Sequence, residues 1–202
     1  MLATDFTDAL SKEALGLLFI YLPRAYRCGE DEEARTKTAN AATMAGIAFA
    51  NAFLGLCHAM AHKLGAFFHL PHGVANALLI CEIIRYNAAE VPSKMGTFPK
   101  YDHPKTLQKY ARLGEALGAK GKTDREKQQG FIAMLEELKT TLDIKPALKD
   151  YGVKEEEFLS RLDQMTEAAF DDQCVGANPR YPLLAEIRQI YCNIYYGKGE
   201  TP

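Results

Sequence analysis

Histidines are concentrated in one short segment of this sequence. The chain contains five, and four of them, His58, His62, His69 and His72, fall within fifteen positions. His58 and His62 are four residues apart and would share one face of a helix, and Pro71 then interrupts the chain just before His72. Neutral imidazole is a common ligand of transition metals, so the cluster predicts a divalent-metal site rather than four unrelated polar residues.

The histidines alone neither name the metal nor complete its set of ligands. Catalytic zinc and non-haem iron sites usually have three or more protein ligands, often with a carboxylate among them. No aspartate or glutamate lies between Ala50 and Cys81, and the nearest flanking acids are Glu33 and Glu82. The remaining ligands must therefore come either from a distant segment or from outside this chain.

Two longer motifs resemble the signature of the iron-containing alcohol dehydrogenases. The first runs through the histidine segment, from Ala45 to Ala77, and the second runs from Phe170 to Pro182. Lys63 after the second histidine, and Tyr-Pro after Asn-Pro-Arg in the second motif, are most similar to the alcohol dehydrogenase half of the bifunctional acetaldehyde/alcohol dehydrogenases. The likeness extends from Leu2 to Gly197, and it implies the helical C-terminal domain of that dehydroquinate-synthase-like family.

The resemblance implies a role for each candidate site residue. In this family an Asp-x-x-x-His pair and two further histidines hold the metal, and the latter two match His58 and His72. His62 would lie beside the nicotinamide and the substrate, where it would relay protons or orient a ligand. Phe49 matches a position that walls the substrate pocket, and Cys174 matches a cysteine near the nicotinamide ring. Core packing for Phe49 and a small buried thiol for Cys174 remain the alternatives.

Other polar residues have weaker claims to a functional role. His69 lies in a predicted loop and is expected to be structural. Asp171 and Asp172 are expected to be solvated charges, and His103 is expected at the surface.

The chemistry implied by the resemblance is alcohol oxidation. A hydride would pass to NAD while the hydroxyl loses its proton, and Fe2+, with Zn2+ as the alternative, would polarise the alcohol oxygen. No glycine-rich turn between a strand and a helix is visible, because Gly118 to Gly121 lies between two predicted helices. We therefore expect a C-terminal fragment that lacks the nucleotide-binding domain and the first two metal ligands and is inactive alone. The complete enzyme would act on short primary alcohols and aldehydes as a homo-oligomer.

Composition narrows the class of protein further. Hydrophobic residues make up 48% and charged residues 25% of the 202 positions, as in ordinary globular proteins. The net charge of −2 argues against a nucleic-acid surface or a polybasic membrane patch. Five scattered cysteines without a CxxC pair fit a reduced intracellular protein. With no signal peptide and no apolar run of spanning length, the cytoplasm is the expected location.

Helical periodicity runs through nearly the whole chain, and no alternating pattern suggests a sheet. We predict an all-α protein of about eight helices, forming a single helical metal-binding domain over residues 1–202. The first helix should end at Pro23, the histidine helix should end at a left-handed Gly65, and Pro92 to Pro104 should form a surface loop. The later helices are predicted at His72–Asn87, Lys105–Leu117, Asp124–Leu142, Glu155–Phe170 and Pro182–Tyr196.

Two hypotheses from other classes remain open. The chain could be a non-catalytic helical module that binds a partner through an exposed apolar patch. It could also be a small stand-alone metal-binding protein in which His58, His62 and His72 form a three-ligand site. The second hypothesis requires all three imidazole rings to converge.

Overall fold

The described part of the molecule is helical throughout. The computed structural model describes residues 2–89 and 105–197, and within these ranges it contains α-helices, two short 3₁₀ helices (Leu148–Tyr151 and Gln173–Ala177) and no β-strand. The prediction of an all-α protein is therefore confirmed. The α-helices are α1 (Asp5–Arg27), α2 (Glu32–Ala52), α3 (Leu56–Phe68), α4 (His72–Asn87), α5 (Thr106–Ala116), α6 (Asp124–Thr141), α7 (Glu155–Phe170) and α8 (Leu184–Tyr196).

The predicted end of the first helix at Pro23 is wrong. Pro23 lies inside α1, and the helix continues to Arg27, where the Cys28 N–H closes the last turn on the Arg24 carbonyl oxygen at 3.0 Å. A proline removes one backbone donor and crowds the preceding turn, but it does not prevent the residues after it from making their own helical hydrogen bonds. The side chain of Arg24 also pairs with Asp31 at the start of α2, which holds this turn in place.

The predicted end of the histidine helix is also wrong. Gly65 is an interior residue of α3, and the left-handed position is His69, with φ of 55° and an N–H that donates to the Gly65 carbonyl oxygen. A Cβ added at Gly65 would lie 3.5 Å from the Leu70 carbonyl oxygen, which is an ordinary van der Waals distance. Neither close packing nor a left-handed backbone therefore requires glycine at this position.

The chain divides into two compact units. The first comprises Met1–Phe53 and Lys109–Asp143, and the second comprises Leu54–Gln108 and Ile144–Pro202. The division into units does not test whether residues 1–202 form a single helical domain, so that statement stays a prediction. No single helix within the described ranges is both long and apolar enough to span a membrane, and the one bent pair that passes together, α2 with α3, does so on length and composition alone.

The first unit brings α1 against α2 and α5 against α6. Ala34, Ala41 and Ala48 recur every seven residues along α2 and are buried. In the other pair, Gly114 of α5 is buried so closely that a Cβ there would lie 2.7 Å from the Lys127 carbonyl oxygen. Both contacts depend on small residues that let helical backbones approach.

The second unit has a continuous apolar core built from α3, α4, α7 and α8. The buried hydroxyl of Tyr191 donates to the Met60 carbonyl oxygen at 3.0 Å, which ties α8 to the middle of α3. Fully buried side chains from these helices include Leu56, Met60, Leu64, Leu79, Phe158, Leu162, Met165, Ile187 and Tyr191.

A buried asparagine fixes the start of α3. Asn178 is 3% exposed, and its Oδ1 accepts a hydrogen bond from the Leu56 N–H at 3.1 Å. Its Nδ2 donates to Asn87 Oδ1 at 2.8 Å, at the end of α4, and also to the Arg180 carbonyl oxygen. Gly55 permits this approach, since a Cβ there would lie 2.9 Å from Asn178 Oδ1. One amide therefore sets α3 relative to α4.

Replacing Gly114 with alanine should destabilise the protein. The added methyl group would lie 2.7 Å from the Lys127 carbonyl oxygen and 2.9 Å from Phe131 Cβ, so the α5–α6 contact must open, at a cost of about 1–3 kcal/mol. Gly46→Ala is the matched control, because it lies inside α2 with no atom within 4 Å of an added Cβ. That change should stabilise the protein by about 0.4–1 kcal/mol. Urea unfolding measures both, and equal stabilities for the two variants would contradict the close contact.

Candidate functional site

The packing of α3 determines which of its residues reach the site. Leu56, Met60 and Leu64 are fully buried and recur every four residues, so they form the core-facing side of the helix. His58 and His62 lie on the opposite side of the helix and remain partly accessible. The sequence therefore presents two imidazoles one helical turn apart, on the side away from these three residues.

The start of α4 brings a third histidine to the same place. Pro71 precedes the helix with φ of −55°, and His72 is its first residue. The His72 ring centre lies 5.4 Å from that of His58 and 5.6 Å from that of His62, and the His58 and His62 ring centres are 6.3 Å apart. The three rings that the sequence singled out thus face one another across the turn between α3 and α4.

The ring separations can be compared with what one metal ion requires. Metal–nitrogen bonds of about 2.0–2.1 Å place each ring centre roughly 3.2 Å from the ion, so two rings at a tetrahedral angle have centres roughly 5.2 Å apart. The 5.4 Å separation of His58 and His72 and the 5.6 Å separation of His62 and His72 are close to this value. The 6.3 Å separation of His58 and His62 would require their nitrogens to bind from nearly opposite sides of the ion. The pair His58 and His72 therefore fits a shared ion better than the complete trio does.

The two histidines differ in how available their ring nitrogens are to a metal ion. Burial, followed by the neighbouring His72 and His62 rings, lowers the pKa of the His58 imidazole. The neutral ring keeps a lone pair for a metal ion. The His72 ring is held on its own helix by Asn76, whose Nδ2 lies 3.1 Å from His72 Nε2 and 3.1 Å from the His72 carbonyl oxygen. An amide N–H uses the lone pair of the nitrogen to which it donates, so metal binding by His72 through Nε2 requires the Asn76 amide to turn away.

A carboxylate that the sequence placed in solvent belongs to this site. The Asp172 side chain is only 9% exposed, so the expectation of a solvated charge is wrong for this residue, although Asp171 is exposed. Asp172 Oδ2 lies 3.1 Å from His62 Nδ1 and 2.9 Å from Lys63 Nζ, and its Oδ1 accepts from the Cys174 N–H at 3.0 Å. The expectation fails because the chain turns after α7 ends at Phe170. Asp172 then becomes the N-terminal cap of the following 3₁₀ helix, and its side chain points inward.

The Asp172 carboxylate is held in its ionised form. Burial alone would raise its pKa, but the hydrogen bonds from the Cys174 N–H, Lys63 and His62 together lower the pKa of Asp172 well below its ordinary value. A carboxylate in this state can only accept hydrogen bonds. The adjacent nitrogen of His62 must therefore carry the proton in their contact.

Cys174 lies beside this carboxylate in the 3₁₀ helix and is buried. Burial, with the hydrogen bond and charge of Asp172, raises the pKa of the Cys174 thiol to about 11, which keeps it protonated at neutral pH. Ligand atoms of His62, Asp172 and Cys174 lie within 4.8 Å of one another and could in principle hold a cation. The ammonium group of Lys63 already occupies the same carboxylate oxygen, so this trio is better described as a hydrogen-bonded network.

The other expected site residues are in the first unit, at the end of α3 or outside the described residues. Phe49 is on α2 in the first unit. Its side chain is 48% exposed, so it is not part of the core of that unit. His69 occupies the left-handed C-terminal cap of α3, which agrees with a structural role. His103 and the predicted loop Pro92 to Pro104 fall outside the described ranges.

Comparison with known proteins gives the same assignment along the whole chain. A family model described as the Fe-containing alcohol dehydrogenase family, C-terminal, matches residues 1–195. The chain is 50% identical to the bifunctional aldehyde-alcohol dehydrogenase AdhE of Escherichia coli K12, covering all of this chain and 23% of that protein. It is also 50% identical to an aldehyde-alcohol dehydrogenase of Clostridium acetobutylicum, covering 96% of this chain and 22% of that protein. The chain thus spans less than a quarter of these relatives.

Solved structures agree with the sequence comparison. An iron-containing alcohol dehydrogenase from Thermococcus thioreducens superposes with a TM-score of 0.82 at 33% identity. The match covers 98% of this chain and 46% of that structure. The helical arrangement described above is therefore that of slightly less than half of such an enzyme.

Replacing Asp172 with asparagine should destabilise the protein at neutral pH. The amide can still cap the 3₁₀ helix, but it leaves the Lys63 ammonium without its buried counter-charge, at a cost of about 1–3 kcal/mol. Folding lowers the pKa of Asp172 from its ordinary 3.8, so the carboxylate contributes stability above pH 3.8 and loses it as the pH falls further.

Urea unfolding at pH 7 and below pH 3.8 tests both parts of this expectation. The difference in unfolding free energy between wild type and Asp172→Asn should be largest at pH 7 and smaller below pH 3.8. Asp171→Asn, at the exposed neighbouring position, should change stability by less than about 0.5 kcal/mol at either pH. A gap that stays constant or widens in acid would contradict the ionised, buried carboxylate.

Proposed function

Because this chain belongs to the Fe-containing alcohol dehydrogenase family, we propose that it supplies part of the metal site and the substrate-facing polar groups of an alcohol dehydrogenase. The carrying observation is the convergence of the His58, His62 and His72 rings, with centre separations of 5.4 to 6.3 Å. The reaction is the interconversion of short primary alcohols and aldehydes with NAD(H). The names of the aldehyde-alcohol dehydrogenase relatives support this substrate class.

His58 and His72 are the proposed metal ligands. Their ring separation fits one shared ion, and the lowered pKa of His58 keeps its nitrogen available. A ferrous ion, or zinc as the alternative, would act there as a Lewis acid on the alcohol oxygen. The Asp-x-x-x-His ligand pair of the family has no match among residues of this chain, so two ligands would come from elsewhere.

The remaining polar residues would orient the substrate and the cofactor. His62 lies beside both proposed ligands and offers a polar group to the alcohol hydroxyl. Cys174, a neutral buried thiol two residues from Asp172, is proposed to border the nicotinamide ring. Phe49 is proposed to wall the substrate pocket, and its exposed ring leaves it available for that role.

A second candidate is a metal site formed by this chain alone. The convergence of all three rings favours it, because a three-histidine site requires that arrangement. The longer His58–His62 separation favours the enzyme instead. A partner-binding module without chemistry is supported only by exposed apolar side chains in the first unit, such as Phe6, Ile20 and Ile47.

The complete enzyme is proposed to be a cytoplasmic homo-oligomer without nucleic-acid or membrane partners, in keeping with the net charge of −2. The chain by itself is proposed to be inactive, because positioning of the hydride donor and acceptor can contribute about 7–11 kcal/mol to lowering a barrier. That positioning would require the nucleotide-binding part of the enzyme.

Metal binding by the chain should depend on two histidines rather than three. In equilibrium dialysis against Zn2+, His58→Ala and His72→Ala should each weaken binding by at least about tenfold. His62→Ala should have a smaller effect, and His69→Ala, at the helix cap, should have none. Equal losses for His58→Ala, His62→Ala and His72→Ala would instead support the stand-alone three-histidine site.

Catalysis can be tested in a chimaera. This chain would replace the matching region of the Escherichia coli bifunctional enzyme, to which it is 50% identical. We expect ethanol-dependent NADH formation that falls at least about 100-fold in His58→Ala or His72→Ala. Retained aldehyde dehydrogenase activity in the same chimaera is the folding control.

Two outcomes would overturn the proposed function. One is a folded chimaera without alcohol oxidation, and the other is full alcohol oxidation after His58→Ala.

The isolated chain, given ethanol, NAD and ferrous ion, should turn over far more slowly than about 1 per second.

A further inference from the structure

One carboxylate contacts both polar residues at the centre of α3. Asp172 Oδ2 is 3.1 Å from His62 Nδ1 and 2.9 Å from Lys63 Nζ, while its Oδ1 accepts from the Cys174 N–H. We propose that Asp172 is a positioning residue that fixes the tautomer and orientation of His62, so that Nδ1 carries the proton and Nε2 presents a lone pair. None of the sequence motifs assigned such a role to Asp172.

The tautomer follows from the identity of the partner. An ionised carboxylate has no proton to donate, so a hydrogen bond between Asp172 and His62 requires an Nδ1–H on the ring. In a neutral imidazole the other nitrogen, Nε2, is then an acceptor. The contact therefore determines that Nε2, and not Nδ1, is the ring nitrogen of His62 that can accept a hydrogen bond.

The carboxylate is itself held in place, which gives it the rigidity that this role needs. Three donors from two segments of chain bind its two oxygens, and only 9% of the side chain is exposed. The Lys63 ammonium, 21% exposed, balances the negative charge of Asp172 without any contribution from His62. Asp172 can thus orient a neutral His62 ring.

The catalytic consequence rests on the proposed function. In an alcohol dehydrogenase, His62 Nε2 would accept a hydrogen bond from the substrate hydroxyl and orient that group beside the His58 and His72 pair. Carboxylates that fix a histidine tautomer commonly change activity by about 10- to 100-fold when they are replaced. Loss of Asp172 should therefore lower kcat while leaving the ligands of the metal unchanged.

The tautomer can be measured directly on the wild-type chain. Long-range 1H–15N correlation spectra at pH 8, with the five histidines labelled and His62 assigned by His62→Gln, distinguish the two ring nitrogens. We expect His62 Nδ1 to have the shift of a protonated nitrogen and Nε2 that of an unprotonated one. A proton on Nε2, whether alone or together with one on Nδ1, would overturn the proposal. This measurement needs no metal and no activity, and its one variant serves only to assign the signal.

Variants then connect the tautomer to Asp172. In Asp172→Asn the Nδ1–H form of His62 should cease to dominate, because an amide can also donate to Nδ1. Asp171→Asn, at the exposed neighbour, should leave the spectrum unchanged. A wild-type tautomer in Asp172→Asn would overturn the proposal.

Activity in the chimaera separates this proposal from the function on which it rests. Asp172→Asn should lower kcat by about 10- to 100-fold with KM for NAD and bound iron unchanged. Unchanged kcat in an active chimaera would overturn the positioning role alone. Failure of the unsubstituted chimaera would overturn the proposed function and leave the measured tautomer intact.

Discussion

The site depends on a buried negative charge that must be satisfied. Removing a carboxylate from water is costly unless donors replace the lost solvation, and Asp172 has three: the His62 ring, the Lys63 ammonium and the Cys174 N–H. These donors come from α3 and from the 3₁₀ helix that follows α7. The same contacts that satisfy the charge therefore bring the chain after α7 onto the histidine-bearing helix.

On the side of α3 opposite the histidines, the apolar core holds the helix in place. Leu56, Met60 and Leu64 anchor the helix in the core, and the buried Asn178 sets its first turn relative to α4. These contacts fix α3 on both sides. Because α4 begins at His72, directly after the turn at Pro71, the start of α4 stays close to α3. The proximity of the His58 and His72 rings is thus a consequence of packing as well as of motif spacing.

Much of this arrangement was readable from the sequence, and the exceptions have physical causes. The bounds of α4 and α7 agree with the apolar periodicity, and the histidine spacing correctly indicated that the rings meet. Pro23 and Gly65 were misread because one residue's local preference is weaker than the packing of a whole helix. Asp172 could not be placed, because two of its three donors, His62 and Lys63, are more than a hundred residues away in the chain. The one local signal was its capping position before Cys174.

The central claim is that His58 and His72, rather than the network around Asp172, hold the ion. Crystals of the chain soaked in Zn2+ and measured at the zinc absorption edge test this most directly, because the anomalous peak locates the metal without reference to activity. The account predicts a peak about 2.0–2.1 Å from one nitrogen of His58 and one of His72. A peak bonded instead to His62, Asp172 and Cys174 would contradict it.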